Sequence, residues 1–214
     1  MDLSNISVNT QSSIRIAGSK VLYFDPFQVS EERHDADAVF ITHEHYDHFE
    51  PESIAKVCGP GTILAAPASL RDKVLEQSGI PEDRCVFFIP GDAREVDGLR
   101  VQAVPAYNRL KPFHPKGKKW VGYLVEMDDV TYYVAGDTDA QDDIRSLSCD
   151  VALIPIGGHF TMDRKQAADL ICSMKPKAVI PTHYGSIVGN ATDGSDFRKL
   201  LEEKAPGIEV ELKL

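Results

Sequence analysis

The sequence lacks the features that would place it in a membrane or in an oxidising compartment. No uncharged apolar run approaches the roughly 18 residues that a bilayer span needs. The first ten residues, MDLSNISVNT, have neither the basic nor the apolar region of a secretory signal. The four cysteines form no CxxC pair, so we interpret them as buried thiols and not as a disulfide framework or a zinc knuckle. We therefore expect a cytoplasmic protein without a membrane span.

Positive charge is also scarce. The chain has 23 lysines and arginines against 33 acidic residues, a formal net charge of -10. Because binding to phosphate backbones requires a basic surface, the chain as a whole is not expected to bind nucleic acid. The exception is the segment Arg109–Lys119, RLKPFHPKGKK, which has five basic residues and no acidic one. This basic segment either attracts an anionic substrate or is a solvated surface loop.

Repeats and low-complexity tracts are absent, and 43% of the 214 residues are hydrophobic. This length and composition predict one domain over residues 1–214. A hairpin is expected over 13–27, ending near Asp25, and further β-rich runs dominate the middle of the chain. Helices are expected over 51–57, 68–79 and 162–174, and a last one over 195–207 with serine or aspartate capping. The pattern favours a β-sandwich with helices outside.

The stretch VFITHEHYDHFEPE, residues 39–52, follows an apolar run and contains three of the seven histidines within six residues. In an extended segment His43 and His45 point to one side, and a turn can redirect Asp47 and His48. Two neighbouring metal sites could then share one loop. Imidazole and carboxylate suit zinc, and also manganese or iron(II), in a catalytic site. The alternative is a polar surface turn.

This stretch resembles the signature of the metallo-β-lactamase superfamily. VAGDTD around Asp137 and IPTHYG around His183 are similar to two later motifs of that superfamily and follow in the expected order. The resemblance implies an α+β fold, an αββα sandwich with a metal site at one edge between the sheets. The short length and the VPAYN segment look closest to small hydrolases related to the ascorbate-6-phosphate lactonase and N-acyl-phosphatidylethanolamine phospholipase D groups.

The resemblance also implies a ligand set. His43 and His45 would bind a first metal ion, Asp47, His48 and His183 a second, and Asp137 would bridge both. Diiron flavoproteins of the superfamily usually have glutamate at the position of His45. The resemblance therefore favours hydrolysis over reduction of oxygen or nitric oxide.

One motif departs from the pattern. Related hydrolases usually have a histidine after a Pro-Ala-x unit as the third ligand of the first metal, whereas here PAYN places Asn108 there. His114, six residues further on, could fold back and substitute for it. Otherwise Asn108 binds through its amide oxygen, or the position is filled by water or left vacant.

Other side chains near the motifs have two interpretations each. His159, after two glycines, either donates a proton to the leaving group or is a hydrogen-bonded structural residue. Tyr107 and Tyr184 either polarise a substrate oxygen or pack in the interior. His34 lies outside every motif and is expected at the surface.

These residues together predict a metal-dependent hydrolase of an ester, lactone or phosphodiester, acting on a small, anionic substrate. Two divalent ions, zinc first and manganese or iron as alternatives, would activate a bridging water. Asp47 would orient that water and shuttle a proton. The rival hypothesis is a metal-binding sensor or scaffold without turnover, which the missing histidine at Asn108 favours.

Overall fold

The computed structural model describes all 214 residues, Met1–Leu214, and contains two sheets. The strands of the first sheet are, in pairing order, β1 (Ile6–Val8), β2 (Ile14–Ala17), β3 (Val21–Phe24), β4 (Ala36–Phe40), β5 (Cys58–Pro67) and β6 (Cys85–Phe88). The pairs among β1, β2 and β3 are antiparallel, and those from β3 to β6 are parallel.

The second sheet has seven strands. They are β7 (Ala93–Val96), β8 (Leu99–Pro105), β9 (Val121–Met127), β10 (Val130–Val134), β11 (Val151–Pro155), β12 (Ala178–Thr182) and β13 (Glu209–Val210). Pairs from β7 to β10 are antiparallel, and pairs from β10 to β13 are parallel. Because parallel strands end on the same side of a sheet, β10 and β12 deliver the residues that follow them to one edge.

Five α-helices cover the outer faces. They are α1 (Pro51–Val57), α2 (Arg71–Gln77), α3 (Asp142–Arg145), α4 (Arg164–Met174) and α5 (Asp193–Lys204). Alternation along β4 shows how the layers form: Phe40 belongs to the core between the sheets, and its neighbour Val39 packs in the core that includes Ile54 of α1. The helices α3, α4 and α5 contribute to a third core on the second sheet. The predicted αββα sandwich is confirmed.

Most predicted elements are present, with a few corrections. The sequence patterns missed β1, β7 and the four-residue α3. Serine or aspartate capping of the last helix is wrong, because α5 starts earlier, and Thr192 at its N-cap makes no side-chain hydrogen bond. By contrast, α4 has a capping box between Asp163 and Gln166 and ends at Lys175, which is followed by a proline.

The four cysteines are free, as expected, and they are half-buried where the sequence predicted buried thiols. None of the helices has the length and hydropathy that crossing a bilayer requires.

Candidate metal centre

Loops from both sheets converge at the carboxyl ends of their strands. The residues after β4 carry four of the predicted ligands, and those after β10 and β12 carry one each. The seventh, His114, lies in the long connection between β8 and β9. The seven side chains form two adjacent groups. The first contains His43, His45, His114 and Asp137, and the second contains Asp47, His48 and His183.

In the first group, three imidazoles and one carboxylate point to a common centre. The Nδ1 atom of His45 lies 3.0 Å from Nε2 of His43 and 3.1 Å from Nε2 of His114. The Oδ2 atom of Asp137 lies 3.2 Å from Nε2 of His114 and 3.9 Å from Nε2 of His43. His45 is half-buried, while the other three are buried.

The second group lies against the other oxygen of Asp137. The Oδ1 atom of Asp137 is 3.4 Å from Nε2 of His48 and 3.4 Å from Nε2 of His183. The Oδ2 atom of Asp47 is 3.6 Å from Nε2 of His48 and 3.3 Å from Nε2 of His183. One carboxylate therefore faces both groups, one oxygen to each.

These separations fit metal coordination. Nitrogen and oxygen ligands about 2.0–2.1 Å from a tetrahedral zinc ion lie about 3.3–3.4 Å from one another. In addition, Nε2 of His48, Nε2 of His183 and Oδ1 of Asp137 are buried without any hydrogen-bond partner. Buried polar atoms are rarely left unpaired, because desolvation without a partner is unfavourable. The donor set and its unpaired atoms therefore fit two divalent cations.

The loop that carries His114 folds back on Asn108. The backbone N–H of Asn108 donates to the carbonyl of His114 at 2.7 Å. Its side-chain amide donates to the carbonyls of Phe113, at 3.0 Å, and Phe160, at 2.6 Å. The Oδ1 atom of Asn108 is buried and has no hydrogen-bond partner. The Nε2 atom of His114 lies 3.1 Å from Nδ1 of His45 and 3.2 Å from Oδ2 of Asp137. Of the three alternatives that the sequence leaves for the third ligand of the first metal, this geometry favours His114.

Asp25 supports the second group from behind, a role that the sequence analysis did not assign. Its carboxylate is fully buried and accepts hydrogen bonds from the backbone N–H of Thr42 at 2.7 Å, the hydroxyl of Thr42 at 2.6 Å and Nδ1 of His48 at 2.7 Å. A carboxylate on Nδ1 fixes the imidazole with Nε2 towards the metal. The available signal is an aspartate at the end of a buried strand, which the sequence pattern indicates only as the end of a hairpin.

Burial and neighbouring charges set the protonation of the metal-free site. Burial opposes protonation of His48, but the carboxylates of Asp137 and Asp25 outweigh it and raise its pKa to about 9. Burial, reinforced by the positive charge of His48, holds the pKa of His43 well below its usual value. Burial also opposes ionisation of Asp137, yet the histidines around it, first His183, hold its pKa well below the usual range. The metal-free site thus holds a proton on His48.

Several of these residues need an unusual backbone. His114, His183 and Asp25 have φ values of 56°, 55° and 45°, in the left-handed region that side chains other than glycine adopt at a cost of about 1–2 kcal/mol. Gly136, next to Asp137, has φ of 63°, and a Cβ atom there would lie 2.9 Å from Cβ of Thr42. The strands on both sides hold the loops in these conformations.

Four other predicted residues lie outside the two groups. The ring of His159 is exposed and makes no hydrogen bond; it packs edge-on against Phe160 with centroids 4.5 Å apart. Tyr107 and Tyr184 are both buried, which matches the packed alternative. His34 is exposed, as expected.

The basic segment is largely paired with acidic side chains. Its ion pairs are Arg109 with Asp142, Lys111 with Asp139, Lys116 with Asp143 and Lys118 with Glu44. Lys119 makes no ion pair. The positive charge of the segment is therefore mostly neutralised within the molecule.

A cavity of about 240 Å³ opens above the metal centre. Its floor consists of predicted ligands from both groups. Its walls are apolar and are formed by Tyr46, Phe113, Phe160 and Ile187. No lysine or arginine lines it.

Comparison with known proteins gives consistent results. A family model described as the beta-lactamase superfamily domain matches residues 6–183. A UPF0173 metal-dependent hydrolase of Thermococcus onnurineus is 34% identical over 207 residues, which cover 91% of this chain and 90% of that protein. A protein of Parabacteroides distasonis, assigned as a metal-dependent hydrolase, superposes with a TM-score of 0.80 at 26% identity, covering 98% and 92% of the two chains. The metallo hydrolase Igni18 of Ignicoccus hospitalis gives 0.79 at 23% identity, covering 97% and 93%, a likeness of fold alone.

Proposed function

The chain belongs to the metallo-β-lactamase superfamily as a metal-dependent hydrolase, and on that premise we propose that it cleaves an ester, lactone or phosphodiester with two divalent ions. The observation that carries the proposal is the pair of ligand groups sharing Asp137, with buried ligand atoms that have no hydrogen-bond partner. Zinc is the metal that three imidazoles and a carboxylate favour, and manganese and iron are the alternatives.

The first ion would be held by His43, His45 and His114, the second by Asp47, His48 and His183, and both by Asp137. Two such cations supply Lewis acidity and lower the pKa of water, which is the chemistry that hydrolysis at neutral pH requires. The oxygen of the attacking water ends on the acyl or phosphoryl group, and the leaving oxygen takes up a proton.

The protein's own residues would orient the reactants and move the proton. Asp47 is 7% exposed and borders the cavity, so its carboxylate can orient the attacking water and receive its proton. The same carboxyl can then pass the proton to the leaving oxygen. His159 packs against Phe160, which lines the cavity, and makes no hydrogen bond; it is proposed to contact the substrate or its leaving group.

The structure bears on catalytic turnover, on the charge of the substrate and on the location of the protein to different degrees. The rival hypothesis of a non-catalytic sensor was motivated by the missing histidine at Asn108, and the position of His114 in the first group supports turnover over that rival. Lys119 alone in the basic segment makes no ion pair, and it does not line the cavity, so an anionic substrate has no support from the cavity lining. A cytoplasmic location is supported by the four free cysteines.

The experiment is a turnover screen of the metal-loaded protein on 4-nitrophenyl esters, lactones and bis(4-nitrophenyl) phosphate, with Asp47→Asn and chelator-treated protein alongside. We expect turnover of at least one class, its loss on chelation, and a fall of about 10²-fold or more in Asp47→Asn. Asp35→Asn, on a half-exposed aspartate outside the site, is the matched control and should retain activity. Two bound metal ions without turnover of any class would refute the proposal.

A further inference from the structure

Exposed apolar side chains concentrate at the mouth of the metal centre. Three of the seven large hydrophobic residues that the chain exposes line the cavity there: Tyr46 is 65% exposed, Phe113 39% and Ile187 40%. Contiguous apolar surface of this kind on a soluble protein marks a binding site more often than chance exposure. With the half-buried Phe160, these three side chains form what we call the collar.

The collar is braced by contacts between its members and their neighbours. Phe113 and Phe160 pack edge to face with centroids 4.6 Å apart and planes at 84°. Tyr46 packs edge-on against the buried Phe27 with centroids 5.9 Å apart. The four members come from the loops that follow β4, β8, β11 and β12, so each is held by a different strand. Such aromatic walls present a fixed apolar surface with little side-chain entropy to lose on binding.

The charges near the cavity do not favour an anionic group away from the metals. No cation lines the cavity, and the lysine nearest in sequence to the collar, Lys111, is paired with Asp139 and with the carbonyl of Thr161. The two carboxylates in the lining, Asp47 and Asp137, are themselves predicted metal ligands. A negative charge on the substrate away from the metal ions would therefore meet apolar walls and no cation.

We propose that the collar binds an apolar group attached next to the scissile bond, so that the substrate is a short- to medium-chain or aromatic ester or lactone and not a phosphorylated metabolite. The inference rests on the proposed hydrolase site and adds the substrate class. A volume of about 240 Å³ lies below the roughly 300–1,000 Å³ usual for ligand sites, which limits the group to a chain of moderate length.

The first test follows turnover of 4-nitrophenyl acetate, butyrate and hexanoate by the zinc-loaded protein. We expect kcat/KM to rise by about two- to four-fold per methylene, the scale of methylene burial. In Phe113→Ser and Ile187→Ser the hexanoate-to-acetate ratio should fall towards one. The ratio within one preparation cancels differences in metal content. Leu110→Ser removes a 97%-exposed apolar side chain of the same loop that does not line the cavity, and it should keep the wild-type ratio.

The second test measures binding without turnover, by calorimetry with acetate, hexanoate and adipate on the zinc-loaded protein. The collar predicts that hexanoate binds ten-fold or more tighter than acetate. It also predicts that adipate, which has the same length and a second carboxylate, binds more weakly than hexanoate. This order supports the collar even if no ester is turned over, in which case the proposed function fails alone. Equal binding of acetate and hexanoate, or tighter binding of adipate, overturns the collar even if esters are hydrolysed.

Discussion

At the level of single residues, His48 connects the protonation of the site to metal binding. Its folded-state pKa of about 9 lies above the value of about 6.5 expected in an unfolded chain. Protonation of His48 therefore stabilises the metal-free fold fully below about pH 6.5, and this stabilisation is lost as the pH rises through about 9. A metal ion at Nε2 requires the neutral ring, so proton and metal compete for one atom.

We predict that at pH 7.5 metal binding releases about one proton from His48, and that affinity at the second site rises with pH up to about 9. Calorimetry in buffers of different ionisation enthalpy measures the released protons. Asp25→Asn removes a charge that holds this proton, so it should reduce proton release, and it should lower second-site affinity by about 10- to 100-fold. Binding without proton release at pH 7.5 would contradict the assignment.

At the level of elements, the loop between β8 and β9 brings His114, a predicted ligand outside the expected motif, to the first group. His114 lies within 3.1–3.2 Å of the ligand atoms of His45 and Asp137, whereas the side-chain amide of Asn108 donates to the backbone carbonyls of Phe113 and Phe160. We predict that His114→Ala lowers the metal affinity of the first site ten-fold or more. Loss of a residue that only hydrogen-bonds to a ligand already lowers metal affinity by about 10- to 100-fold, and loss of a ligand itself should have at least the lower end of that effect.

The matched variant is Asn108→Ala, which should lower the melting temperature more clearly than the metal affinity, because it removes hydrogen bonds that close the loop. Competition with a chromophoric chelator gives the affinities, and a thermal melt of the metal-free protein gives the stability. Wild-type affinity in His114→Ala would show that His114 is not a ligand.

Gly136 lies between the end of β10 and Asp137, the predicted bridging ligand. Gly136→Ala combines a left-handed φ with a contact of 2.9 Å to Thr42, so we expect it to reduce the free energy of unfolding by about 2–4 kcal/mol. Gly98 has φ of 82° but open space around it, so Gly98→Ala should show only the backbone part, about 1–2 kcal/mol. Denaturant unfolding of both variants separates the two terms, and equal losses would rule out the steric part.

The elements also show what local sequence could predict. VALIP is apolar throughout and AVIPT is apolar up to its final threonine, so their strands were evident from the pattern. By contrast, β7 reads AREV, with three exposed residues, and its strand character comes from pairing with β8. The ligand cluster after β4 was visible because four residues lie close together in the chain. The choice of His114 and the support from Asp25 depend on contacts across 69 and 23 residues, which no local pattern contains.

At the scale of the whole molecule, the predicted metal ligands come from both sheets. The cluster after β4 extends from the first sheet, while Asp137, His183 and His114 extend from the second. An ion bound between them therefore stabilises the packing of one sheet on the other, and metal affinity is part of the folding free energy. A ligand that binds only the folded state at 1,000 times its dissociation constant adds about 4 kcal/mol.

We therefore predict that removing metal with a chelator lowers the melting temperature by about 10 °C or more, since roughly 2–4 °C per kcal/mol applies to chains of this size. In His48→Ala the shift should be clearly smaller, because second-site binding is already weakened. His34→Ala removes an exposed histidine outside both groups and should show the full wild-type shift. Differential scanning calorimetry with and without chelator measures all three proteins. An equal shift in His48→Ala and His34→Ala would mean that the second site contributes nothing to joining the sheets.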